Sequence, residues 1–343
     1  MYSNRLNLPE PLVRAAIKAR AMYSKGPGVR FSVTELIGPA REGALQRKYG
    51  DLIVEDISDI LTSLYGTLMH KIIEDGGAPE TKAHLEERLF AEVDGIKISG
   101  AMDHTLFYPN GCIEDWKFTS AYNVMGPPKE EWVAQLNMYK WLREMQGNTI
   151  TELRIVALLR DWSIAKARQA GHDWTYNVRE DGVIDVFSAP DPAAPNEQAE
   201  RRYPSHGEKT LNIPLWSCED TLTYIKERIQ LHIIADEWAD AISSGKVYDG
   251  LEPICTDEER WTKPVKYAHM KHTRKSAVHL YDSENEAYLV ANSAPGSYVE
   301  KRGGERTKCL DWCVVGRAGL CTQWNNDRPT GEVKTAQLEN VYE

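Results

Sequence analysis

Asp103 and the pair Asp115 and Lys117 stand on either side of a corner, Tyr108-Pro109-Asn110-Gly111, and the length of that corner decides whether they share a face. Successive strand residues point to opposite sides, so Asp115 and Lys117, two apart, project together in the row Ile113, Asp115, Lys117. Pro-Asn-Gly has strong turn chemistry, and a hairpin there returns Asp103 beside Asp115. If Pro109 and Asn110 alone close it, Asp103 falls opposite Trp116 and faces away. A three-residue loop over 109–111, or a bulge, sets Asp103 against Lys117 and gathers two carboxylates and an ammonium on one side. We expect the odd loop or the bulge; such a group can hold a divalent metal beside a phosphodiester.

The flanking pattern predicts an α/β core. The first thirty residues read as a basic helix ending at Gly26-Pro27-Gly28, and Ser32 or Thr34 caps a short helix that stops near Pro39. Over 53–74, Ile57, Ile60, Leu61, Leu64, Leu68 and Ile72 recur at helical spacing, with Gly66 and His70 one turn apart. Strands follow over 87–93, 97–107 and 112–118, with a turn at Asp94-Gly95. A helix over 130–146 carries Trp132, Leu136, Tyr139 and Leu142, and places Gln135 one turn before Tyr139. An apolar strand over 150–159 completes a mixed central sheet flanked by helices. The span 188–214 reads as a surface excursion or flexible loop, and Ser217 to Asp220 as a capping box opening a long helix that ends near Gly245. A short helix capped by Thr256 and Glu259, a hairpin over 267–281, a helix over 283–292 and a strand near Tyr298 make a small α+β unit. The linear division is thus 1–30 helical segment, 31–165 core, 166–216 loop-rich insertion, 217–250 long helix and 251–343 cysteine-bearing region.

No apolar run approaches the roughly 20 residues of a membrane span, and the start lacks a secretory segment, so the expected location is the cytoplasm. The net charge of −10 argues against a nonspecific nucleic-acid coat but leaves room for a local basic groove. Of six cysteines, Cys309, Cys313 and Cys321 fall in KCLDWCVVGRAGLC, with Cys255 upstream in PICTDEERW. Four thiolates suit structural zinc or a 4Fe-4S cluster equally on ligand count, with free thiols the remaining reading. Cys112 and Cys218 read as small buried side chains. Trp261, Lys263, Lys266, Tyr267, Lys271, Arg274 and Lys275 form either a DNA-contacting surface or a solvated hairpin.

His70 in GTLMH, Asp103 in GAMDH, Asp115 and Lys117 in IEDWK, and Gln135 with Tyr139 in QLNMY follow in an order that resembles the PD-(D/E)XK nuclease superfamily, within it the RecB-like exonucleases. The resemblance covers 31–162. It implies a restriction-endonuclease-like core and Mg2+ or Mn2+ held by Asp103, Asp115, the carbonyl of Trp116 and His70. It implies that Lys117 positions or helps deprotonate the attacking water and stabilises charge on phosphorus, while Gln135 and Tyr139 orient Lys117 or the DNA backbone. Glu114 points to the other face; Glu87 is a candidate outer ligand or base. The cysteines resemble the iron-sulfur staples of AddB-type nucleases and of the RecB-like CRISPR adaptation nuclease. They depart from that pattern in two ways: the lone cysteine follows the nuclease motifs, and the trio is more widely spaced. Iron-sulfur and zinc both stay open. The arrangement also resembles nucleases of tailed bacteriophages, which implies the host cytoplasm, DNA single strands or duplex ends as partner, and recombination or replication proteins nearby. The expectation is a metal-dependent DNA nuclease, an exonuclease. The alternatives are a noncatalytic nucleic-acid-binding module with a structural cysteine-ligated metal, and a structural zinc protein with no nucleic-acid role.

Overall fold

Strand β5 (Ile96–Leu106) organises the sheet that carries the acidic motifs. The structure is a computed structural model describing residues 1–21, 24–77, 83–107, 111–178, 184–189 and 203–328. It divides into two compact units, one of Tyr2–Ile37 and Glu55–Gln230, the other of Met1, Gly38–Val54 and Leu231–Glu343.

In the first unit, a two-residue parallel pair, β1 (Tyr2–Ser3) with β3 (Glu55–Asp56), lies beside helix α1 (Glu10–Ala21). The main sheet has six strands. Strand β4 (Ala83–Val93) runs antiparallel to β5 along its whole length, joined through Asp94 and Gly95 at φ 51° and 78°, the left-handed pair of a primed hairpin turn. On the other side β5 meets β2 (Phe31–Ser32) and then β6 (Cys112–Thr119). Beyond β6 come β7 (Glu152–Leu159), parallel to it, and β10 (Glu208–Asn212), antiparallel at the edge. A mixed sheet with helices α2 (Val33–Ile37), α4 (Ile57–Gly76) and α5 (Glu130–Glu144) packed on its strands is the α/β class expected.

Residues 108–110 of the decisive corner lie outside the described residues, but the flanking register is defined. His104 pairs with Glu114, Thr105 with Ile113 and Leu106 with Cys112, so residues of like parity share a face. Asp103, Asp115 and Lys117 therefore lie on one side, as expected. Carried one step further, this register sets Asp103 against Asp115; the expected partner, Lys117, lies two residues farther along. The register is held from behind: His104 Nδ1 bonds Glu114 Oε2 at 2.9 Å across the strands, and that bond draws the Glu114 pKa below the ordinary range.

Ser32 caps α2 and not Thr34: its hydroxyl accepts from the Glu35 N–H while Glu35 bonds back to the Ser32 N–H. Helix α3 (Ala40–Tyr49) starts directly after Pro39, where only a helix end had been expected. Proline lacks the N–H that a helix start leaves unbonded, so it suits the start of one helix as well as the end of another. The expected loop over 188–214 contains β10, whose sequence EKTLN buries only Leu211 and so shows no apolar alternation. The 166–216 span also holds α6 (Ile164–Gln169, at its start) and the hairpin of β8 (Asp173–Val178) with β9 (Ile184–Ala189). Ser217 and Asp220 cap α7 (Cys218–Ser243) as expected, and Gly245 follows at φ 67°.

In the second unit β11 (Lys266–Lys271) lies between β12 (His279–Tyr281) and β13 (Ser297–Arg302), with α8 (Glu284–Asn292) packed on them. The box of Thr256 and Glu259 forms, yet closes a single turn without a following helix. Among the described residues no helix is long and apolar enough to cross a membrane.

Helix α5 approaches β5 at Gly100. A Cβ there would lie 2.7 Å from Leu142 Cδ1 and 2.9 Å from the Tyr139 ring. Gly100→Ala should destabilise the protein by about 1–3 kcal/mol, as overpacking does. Urea unfolding checks this through a lowered midpoint at unchanged slope.

Candidate functional site

Strands β4, β5 and β6 and helices α4 and α5 bring the motif residues together in the first unit. His70, near the end of α4, directs Nδ1 to Asp103 Oδ1 at 3.4 Å and to Glu86 Oε1 at 3.3 Å. One ligand atom from each of these three lies within 4.8 Å of the others, beside a small recess lined also by Ile73, Glu74 and Trp116. Asp103 Oδ2 accepts the peptide N–H of Trp116 at 2.7 Å. On β6, Asp115 is buried, and its Oδ2 lies 2.6 Å from Lys117 Nζ. Lys117 also donates to Gln135 Oε1 at 3.1 Å, and Gln135 Nε2 donates to the Tyr139 hydroxyl at 2.9 Å. Thr34 of α2 bonds the same phenol.

Of the four expected metal ligands, His70 and Asp103 stand in the three-residue group. Asp115 faces the same side of the sheet but is engaged by Lys117, and Trp116 meets Asp103 through its N–H. The acid that joins the group is Glu86 and not the expected Glu87. Glu86 adopts φ 49°, a left-handed backbone that costs a non-glycine residue roughly 1–3 kcal/mol. Leu85 and Glu87 pair with His104 and Met102 in one unbroken register while Glu86 between them does not pair. Strand alternation thus fails at the residue that meets His70. Glu87 is committed elsewhere: it binds His84 and, at 2.8 Å, the buried Arg143, which also donates to Thr105. Neither signal, a local left-handed residue or a buried arginine on α5, is visible in the strand pattern.

Electrostatics separate the roles. Burial raises the Asp115 pKa, to about 6, against the pull of Lys117, and the charge of Asp103 adds to the rise. Burial opposes the charge on Lys117, but Asp115, Asp103 and Glu131 outweigh it and hold its pKa above the usual lysine value. Burial also drives Tyr139 upward, so it stays a neutral phenol. Bonds to Asp103 and then Glu86 raise His70 to about 10. Without a metal, two cations therefore stand among three carboxylates.

The cysteines gather in the second unit. Cys309, Cys313 and Cys321 are buried in one core cluster with Ala44, Leu45 and Trp238. Three sulfurs face N–H donors: Cys321 from Arg41 Nε at 3.4 Å, Cys309 from Arg260 Nε at 3.5 Å, and Cys313 from the Gly316 N–H at 3.4 Å. Cys255 is half-buried and held by Gln323 through both its N–H and its carbonyl. Burial, with Glu259 and Cys321 nearby, pushes its thiol up to about 12. Cys112 is buried as expected, whereas Cys218 is exposed at the start of α7, where the first helical turn points to water.

No protein-family model matches the sequence, and no curated protein does. Among solved structures the chain is similar to SSO0001, at 18% identity and TM-score 0.40, over 65% of this chain and 85% of that one. A likeness this distant carries no argument about the site.

Because its folded pKa lies above the unfolded value of about 6.5, charged His70 stabilises the metal-free protein fully below that value. The contribution disappears as pH rises through about 10. In EDTA, His70→Ala should lower Tm most near pH 6 and progressively less towards pH 10. A difference constant across that range would remove the charged pairing.

Proposed function

We propose that this chain is a metal-dependent DNA nuclease with a restriction-endonuclease-like core, acting as an exonuclease on single strands or duplex ends. What supports the reading above all is a protonated lysine, Lys117, held between Asp115 and Gln135 on the sheet face that also presents the His70, Glu86 and Asp103 group. One imidazole and two carboxylates offer the mainly hard donor set that suits Mg2+ or Mn2+. Asp115, on the same face, would add a third carboxylate. A bound ion would supply Lewis-acid charge and a lowered water pKa.

The chain's own residues do the rest. Lys117 stays an ammonium, so its part is to place positive charge where negative charge grows on phosphorus, and not to remove the proton of water. Gln135 fixes Nζ, and Tyr139, a neutral phenol packed on Gly100, fixes Gln135. A noncatalytic binding module has no use for that relay, which disfavours the alternative.

We infer that Cys255, Cys309, Cys313 and Cys321 hold a 4Fe-4S cluster that braces the second unit. The N–H donors aimed at three of the sulfurs suit the delocalised negative charge of a cluster. Zinc is the rival occupant.

With Mg2+ or Mn2+, Lys117→Ala should degrade end-labelled DNA about 100-fold or more slowly than the native protein; equal rates would remove Lys117 from the mechanism. Purified without oxygen, the native protein should contain iron and inorganic sulfide and absorb visible light through thiolate-to-iron charge transfer. A colourless protein containing zinc would identify the rival.

A further inference from the structure

Trp261 and Trp312 of the second unit are large apolar residues left 44% and 51% exposed. Their ring centroids lie 6.4 Å apart at 60°, so the rings form an open notch and do not cover each other. Trp261 has φ 51°, a strained backbone for a bulky residue. That strain is held from both sides: the Trp261 N–H donates to the Glu258 carbonyl, and Thr307 Oγ1 donates to the Trp261 carbonyl. The fold thus spends backbone strain to present an indole to solvent, and Lys308 Nζ lies 5.7 Å from that ring. The notch opens a stretch whose charge runs against the acidic whole: from Arg260 to Tyr281 there are six lysines and arginines and no acid. Lys263, Arg274 and Lys275 are exposed there, and the pairing of Lys263 with Glu305 is a surface contact of little strength.

We propose that the Trp261–Trp312 notch is a stacking site for an unpaired nucleobase of single-stranded DNA, with the adjoining basic stretch following the phosphates. Every base offers a π-face and a negative phosphate, so indoles beside lysines bind strands with little regard to sequence. The notch is joined to the cysteine site: Arg260, next to Trp261, donates to Cys309, and Cys313 follows Trp312. The inference rests on the reading of the chain as acting on DNA, and binding is measured where hydrolysis cannot occur.

The test is fluorescence anisotropy of a labelled oligothymidylate with the full chain in EDTA. Trp261→Ala and Trp312→Ala should each weaken binding about tenfold, the scale of one stacked base. Trp→Phe at both positions should retain most of it. Needing no variant, an abasic strand of equal length should bind the native protein about tenfold more weakly than oligothymidylate. Equal affinity of the double alanine variant and the native protein, or of abasic and thymidine strands, would overturn the proposal. A protein that discriminates abasic strands yet hydrolyses no DNA supports the stacking site and sinks the nuclease reading alone.

Discussion

The Trp116 N–H that Asp103 accepts at 2.7 Å joins β5 and β6 just where their ladder stops. One more paired residue would set Asp103 directly against Asp115, and like charges across a strand pair repel. The carboxylate of Asp103 takes the N–H that a strand carbonyl would otherwise accept, so the backbone stays bonded where the ladder ends. Behind this opening, His104 and Glu114 clamp the register from the opposite face. The placement of His70, Glu86 and Lys117 follows from it, because each is set against one of the two acids.

In the free protein two cations, His70 and Lys117, stand at this opening. His70 Nδ1, the atom facing Asp103 and Glu86, carries a proton well above neutral pH in the free protein. A metal using that nitrogen must expel the proton first, which makes binding pH-dependent. Lys117 competes in another way, by engaging the buried Asp115. Its second partner, Gln135, is neutral and would keep Nζ positioned if Asp115 turned to a bound metal. The relay from Thr34 through Tyr139 and Gln135 to Lys117 is therefore a device for holding one ammonium in place, and Gly100 provides the clearance that lets α5 sit low enough to reach it.

Much of this could be read from residue order, since period-two and period-3.6 patterns report which face is buried. The strands around Asp103 and Asp115 and the helices of His70 and Gln135 declare themselves through apolar spacing, although α5 is buried all round from Ala134 to Arg143 and α4 leaves Leu68 and Ile72 exposed. Shared parity of Asp103 and Asp115 was legible because one odd step would have wasted the set. Their exact pairing was not, since any odd loop satisfies the pattern. Glu86 was hidden because a single left-handed residue reverses the face that alternation assigns, and the neighbouring Glu87 looked equivalent until Arg143 claimed it. Strand β10 was hidden for the opposite reason: an edge strand with one buried residue has no pattern to read.

In the second unit the informative groups are the buried cations. Arg41 is 1% exposed, bonded to Glu252, the Pro253 carbonyl and Thr322, and stacked 4.3 Å from the Trp238 ring. Arg260 is paired with Asp327. Burying a guanidinium is costly unless nearby negative charge compensates it, and both side chains spend an N–H on a sulfur as well. Glu252 and Asp327 supply that charge, and the sulfurs would add to it as thiolates. Yet burial raises Cys255 and Cys313, so in the absence of metal their protons stay on. A bound metal would take up those sulfurs as thiolates, and the local fold would then depend on its occupancy. Arg41 ties α3 to Glu252, Pro253, Cys321 and Thr322, and Ala44, Leu45 and Ile53 share the core of the cysteine trio, so 38–54 belongs with the second unit.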